Sequence, residues 1–173
     1  MRFWFDEIEP AQWWKKDQAF DQLVVELFST THAQARQNKL FEWRETAIGR
    51  LAEIIVLDQF SRNMFRNKAA SFASDSLALS LAQEAISSGA EVHLSAVQRS
   101  FLYMPFMHSE SIEIQKMSIT LFKQNGIAGS LNSAMQHQEI VQRFGRYPHR
   151  NAILGRVSTT EEIQFLSQPG SSF

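Results

Sequence analysis

Cysteine is missing from all 173 residues, which excludes disulfides, thiolate catalysis and cysteine-ligated zinc together. A surplus of either charge is missing too, because 17 Lys and Arg stand against 18 Asp and Glu for a formal net charge of −1. A general nucleic-acid binder needs a basic surplus, so no nucleic-acid partner is expected and any anion site must be local. No apolar run approaches the ~20 residues of a membrane span. The opening MRFWFDEIEP carries acidic residues and lacks the apolar core of a signal peptide. The expectation is a cytoplasmic protein of bacterial type with no membrane partner. The seven glycines are scattered, without the G-x-x-x-x-G-K-[ST] spacing of a phosphate loop. There is no G-x-S-x-G elbow for serine chemistry and no H-E-x-x-H for zinc. Strand-type alternation is scarce, and no self-similar period marks a repeat.

What remains is an apolar, helix-rich chain. With 44% hydrophobic and 20% charged residues, it reads as one globular domain over residues 1–167, followed by a flexible tail, 168–173. Pro10 suits a first helical turn, and Asp17 is placed to cap a helix on which Phe20, Leu23, Val24, Leu27 and Phe28 form one core-facing stripe. Trp13 and Trp14 are assigned to the same core. In RLAEIIVLDQF the successive Ile54, Ile55, Val56 and Leu57 predict a helix buried on most sides, at the centre of the fold. Gly89, Asn125-Gly126 and Gly145 sit where helices should end, and Ser158 with Glu161 has capping-box spacing. Pro105 should end or kink its helix near Met104. The reading is all-α, built of antiparallel helical hairpins joined by short turns.

Three polar blocks stand out against this background. In LDQFSRNMFR, Asp58, Arg62 and Arg66 recur at steps of four, so Asp58 can pair with Arg62, and Asn63 lies beside them. In YMPFMHSE, the break at Pro105 should leave His108 and Glu110 on a bend. In RFGRYPHRNAILGR, the cations Arg143, Arg146, His149, Arg150 and Arg156 gather with no acidic residue between Glu139 and Glu161. Pro148 should aim Arg146, His149 and Arg150 at the other two blocks. The same arginines can instead neutralise Asp58 and Glu110 in an internal ion network. His137 shares a stripe with Ile140, Val141 and Phe144 and reads as a core histidine. His108, Glu110 and His149 have ligand chemistry without metal-site spacing, so neither a metal nor a cofactor is expected.

The blocks LDQFSRNMFR, FLYMPFMHSE, FGRYPHRN and LGRVSTTEE, with FWF and KDQAFD, resemble the signature of a bacterial family, the domain of unknown function 924, in order from Phe3 to Leu166. Ser61 stands where that signature usually has proline. The resemblance implies a tetratricopeptide-like helical array and brings no established activity. Two functions are then expected from the residues, the first preferred and the second its alternative, because no catalytic motif is complete. One is a binding module in which Arg62, Asn63, Arg66, Arg146, His149 and Arg150 hold a carboxylate or phosphate, on a small molecule or a peptide. The other is an enzyme in which His108 or His149, oriented by Asp58 or Glu110, acts as general acid or base on an anionic substrate. The oligomeric state is left open.

Overall fold

The structure, a computed structural model, describes residues 1–171, and among these every regular element is helical. Eight α-helices follow in order: α1 Gln18–Arg36, α2 Ala47–Ile55, α3 Ser61–Met64, α4 Asp75–Ser87, α5 Ala96–Met107, α6 Ile112–Asn125, α7 Ala128–Phe144 and α8 Thr160–Leu166. Between α2 and α3 the chain does not leave helical dihedral angles. Val56–Phe60 makes a π-turn that joins the two into one central rod. No helix among the described residues is long and apolar enough to cross a membrane.

The rod is buried from Glu53 through Ser61, as its unbroken apolar run demands. α1, α4 and α5 pack around it, and α5, α6 and α7 stack as successive hairpins at one side. Leu51, Ile54 and Leu57 are fully enclosed, each contributing about 1.5–3 kcal/mol of burial. Four polar side chains are carried into the core with them, and each is partnered, as burial requires. Glu53 takes two 2.7 Å hydrogen bonds from Arg44. Ser61 bonds the Leu57 carbonyl and the His32 ring. Asp58 and Gln59 enter the site described below. A second, smaller core of Ile140, Val141 and Tyr147 is covered by Phe144 and Phe165, which brings α8 down onto α7.

Helix ends follow the sequence closely, with two exceptions. Asp17 caps α1 through the amides of Ala19 and Phe20, and Gly126 and Gly145 end α6 and α7 with φ of 80° and 68°. Pro105, however, is tolerated inside α5, which runs to Met107. Proline supplies no N–H for the ladder, yet the helix runs on for two more residues, both of them packed among buried side chains. The capping box at α8 is formed by Thr159 and Glu162, one residue later than expected, because the Ser158 hydroxyl is engaged by Asn151. The α1 stripe is narrower than expected: Phe20 and Val24 are buried and Phe28 is half-buried, whereas Leu23 and Leu27 are exposed. Trp14 likewise lies outside, at 64% exposure. Residues 168–171 fold back on α8, where the Ser171 hydroxyl bonds the Leu166 carbonyl. The rest of the expected tail lies outside the described residues.

Candidate functional site

The π-turn decides where the chemistry sits. Such turns insert one residue into a helix and re-aim the side chains around it, and they recur at functional positions. Here Asp58, 1% exposed, is directed at the C-terminus of α5, where His108 is the capping residue. The His108 Nδ1 and the Asp58 Oδ1 are 2.8 Å apart. Gln59 donates to the other Asp58 oxygen at 2.6 Å, and Arg62 lies 3.1 Å from the first. Burial alone would raise the Asp58 carboxyl, but Arg62 and then His108 outweigh it and hold it below the usual carboxylate range. Burial, reinforced by Arg62, pushes His108 down against the pull of Asp58. The pair is therefore a carboxylate and a neutral imidazole.

Around this dyad the two other blocks close in. Arg62 reaches Asp75 at 3.0 and 3.2 Å, and Arg150 reaches the same carboxylate at 3.1 Å. Arg150 also donates to the His108 carbonyl at 3.0 Å. Its guanidinium lies 4.4 Å from the centre of the Phe72 ring and 4.7 Å from that of Tyr147, a sandwich that suits a planar, weakly hydrated cation. Tyr147 is fully buried, donates to the Met107 carbonyl at 2.5 Å and accepts from Gln115 at 2.7 Å. His149 and His137 complete the surround, with ring centroids 5.6 Å from Tyr147 in both cases, and His137 also 6.2 Å from His108. Burial and Arg150 lower His149 to about 4, and burial and His108 lower His137 to about 3.

The remaining cations go elsewhere. Arg66 lies past the end of α3 and bonds Asp21 of α1 at 2.5 and 2.7 Å, and Asn63 joins it there at 2.8 Å. Arg146 grips Glu162 of α8 at 2.7 and 2.8 Å. Arg143 pairs with Glu161, and Arg156 takes Glu110 bidentately at 2.7 and 2.9 Å. Glu110 accepts a further bond from the Tyr147 amide, and these bonds outweigh burial to keep it below its ordinary value. Of the six expected ligand-binding residues, the fold brings Arg62, His149 and Arg150 together and sends Asn63, Arg66 and Arg146 to two other faces. Among the described residues no cluster of three metal-ligating side chains occurs.

A family model described as a bacterial protein of unknown function, DUF924, matches residues 1–170. The chain belongs to that family. A solved structure of a protein of unknown function, ATU0120 from Agrobacterium tumefaciens, is 41% identical to this chain. It matches with a TM-score of 0.90 over 94% of this chain and 92% of its own. Among curated proteins none matches.

In this DUF924 member the sequence blocks omit half of the site. The three polar blocks do not mark Asp75, Phe72, Gln59, Gln115 or Tyr147, and the apolar stripe of α7 places His137 in the core alone. His137 is indeed buried, but its ring also faces His108. Tyr147 was legible as the aromatic of FGRYPHRN. Asp75 and Gln115 lie in unremarkable helical stretches, and nothing local distinguishes them.

Proposed function

We propose that the protein is a small-molecule enzyme in which His108 transfers a proton and Asp58 fixes the tautomer that does so. The observation that carries this reading is the 2.8 Å contact between His108 Nδ1 and a carboxylate that is 1% exposed. An ionised carboxylate only accepts, so Nδ1 carries the hydrogen and Nε2 keeps its lone pair, the form a general base needs. Gln59 and Arg62 hold the carboxylate, as an orienting group must be held. The charge around the dyad points to an anionic substrate, because Arg62 and Arg150 converge on one carboxylate, Asp75, which is 19% exposed. A substrate carboxylate or phosphate taking the place of Asp75 would meet two guanidinium forks.

A binding module is the second reading, and the same convergence on Asp75 favours it, since capture of an anion or a peptide end needs only the two arginines. A tetratricopeptide-like recruiter would draw on Arg66 and Arg146 as well, and both are already held by carboxylates of the chain.

Long-range nitrogen–proton NMR at pH 7 tests the first reading. His108 is expected protonated on Nδ1, with Asp58→Asn shifting the balance toward Nε2–H. Thermal melts in phosphate, sulfate and short carboxylic acids test the second element, since a ligand at a hundredfold excess over Kd adds about 2.7 kcal/mol. Arg150→Gln should lose that response. A wild type that carries its proton on Nε2 overturns the proton-transfer role; if it still responds to anions, the binding module stands in its place.

A further inference from the structure

An α-helix leaves its last carbonyls without intrahelical donors, and α5 ends at Met107, one residue before the histidine of the dyad. Three successive carbonyls there are each taken by a side chain arriving from elsewhere in the chain. Met107 accepts from the Tyr147 hydroxyl at 2.5 Å and from the Gln115 amide at 2.7 Å. His108 accepts from Arg150 at 3.0 Å, and Ser109 accepts from Gln115 at 2.7 Å. Gln115 lies near the start of α6, so its side chain reaches back across the α5–α6 turn and binds the peptide carbonyl on either side of His108.

Gln115 is fully buried. Turned the other way, its amide would press Oε1 against two carbonyl oxygens, so the donor end is the one that faces them. The opposite half of the dyad is fixed independently: Asp58 belongs to the buried rod and is held by Gln59 and Arg62. The carboxylate therefore cannot follow an imidazole that drifts. Helix ends fray unless something holds them, and a displacement of about 1 Å is enough to cost on the order of a hundredfold in a proton-transfer rate. The 2.8 Å contact between His108 Nδ1 and Asp58 thus depends on the α5 terminus staying in place, and Gln115 holds that terminus on both flanks of the histidine.

We propose that Gln115 is a positioning residue for His108, holding the carbonyls of Met107 and Ser109 so that the imidazole between them meets Asp58 through Nδ1. This rests on the proton-transfer role proposed above for His108. Gln115→Met keeps the length of the side chain and removes its donors. Long-range nitrogen–proton NMR at pH 7 should then show the share of His108 protonated on Nε2 rising about fivefold over wild type, as the loss of one hydrogen bond implies. Gln115→Asn, one methylene shorter, should move the ratio in the same direction, and it decides the matter if Gln115→Met does not fold. Arg146→Gln breaks the bonds to Glu162 and leaves those of Gln115 in place, so it should lower the melting temperature with the wild-type tautomer ratio unchanged. A folded Gln115→Met, or in its place Gln115→Asn, that is less stable but keeps the wild-type ratio makes Gln115 a strut and overturns this inference alone. An Arg146→Gln variant that shifts the tautomer as far as Gln115→Met does the same, since any loosening would then suffice. A wild type already protonated on Nε2 overturns the proton-transfer role and this inference with it.

Discussion

Acidification from pH 7 to pH 5 should remove roughly 4 kcal/mol of stability, and two histidines account for it. His137 and His149 titrate at about 3 and about 4 in the folded protein, against about 6.5 in the unfolded chain. The folded values are depressed, so the unfolded state binds more protons below pH 6.5 and stability falls as pH falls. At pH 5 the unfolded chain holds nearly one extra proton at each site, which amounts to about 2 kcal/mol apiece at 1.36 kcal/mol per unit. His108 is depressed as well and acts in the same direction. The carboxylates Asp58, Glu110 and Glu162, all held low, add their loss only below about pH 4.5, where an unfolded carboxylate begins to protonate. The two windows are thus separable.

Urea denaturation followed by circular dichroism at pH 7 and pH 5 measures the difference. His137→Gln should recover about half of it, because it removes one of the two titrating rings while keeping a polar group near the Ser133 carbonyl, to which His137 Nδ1 lies at 2.8 Å. A loss under about 1 kcal/mol between pH 7 and pH 5, or a His137→Gln variant with the full wild-type loss, would refute the argument that burial beside Arg150 and His108 keeps these rings neutral.

Three further outcomes follow from single contacts. Gly49→Ala should lower the melting temperature, although alanine is the better helix former by about 1 kcal/mol, because the new Cβ would lie 2.0 Å from the Trp43 carbonyl oxygen; an unchanged or raised melting temperature would show that this backbone can yield. Arg44→Gln leaves Glu53, a fully buried carboxylate, without its bidentate partner, and urea melts should register a loss of roughly 3–5 kcal/mol. Ile55→Asp sets an unpaired charge at a position 2% exposed, a cost of the same order as the total stability of about 5–15 kcal/mol; a soluble, cooperatively unfolding variant would mean that the rod is not the centre of the fold.

The helices were legible because their signals are local. A continuous apolar run predicted the buried rod, and glycines predicted the ends of α6 and α7. The exceptions share a cause: tertiary contacts overrode a local rule. Pro105 stays helical because the buried surroundings of α5 hold it, and Ser158 yields its cap to Thr159 because Asn151 occupies its hydroxyl. Leu23 and Leu27 satisfied the spacing of a stripe, yet only the 20–24–28 row meets the rod. The π-turn had no local signature at all, since its residues have ordinary helix-forming apolar neighbours.

The same asymmetry between near and far explains why the arginines of 143–156 look like a ligand site when read along the chain. Each of their neutralising carboxylates is distant in sequence: Asp75 is 75 residues from Arg150, Glu110 is 46 from Arg156, and Glu162 is 16 from Arg146. A cluster of one charge is visible locally, whereas its compensation is a property of the fold. Once paired, most of these arginines act as struts that tie α8 and the 144–151 turn to the hairpins. Arg62 and Arg150 differ because they share one carboxylate, and because that shared carboxylate stands beside a histidine whose tautomer is dictated from the buried side by Asp58. If Asp75 were only a strut, Asp75→Asn would weaken the fold and leave the response to phosphate no larger than that of wild type. If it holds the place of a substrate anion, the same variant should leave the two guanidinium groups more avid for phosphate, and a phosphate-dependent rise in melting temperature larger than that of wild type is the result that separates the two.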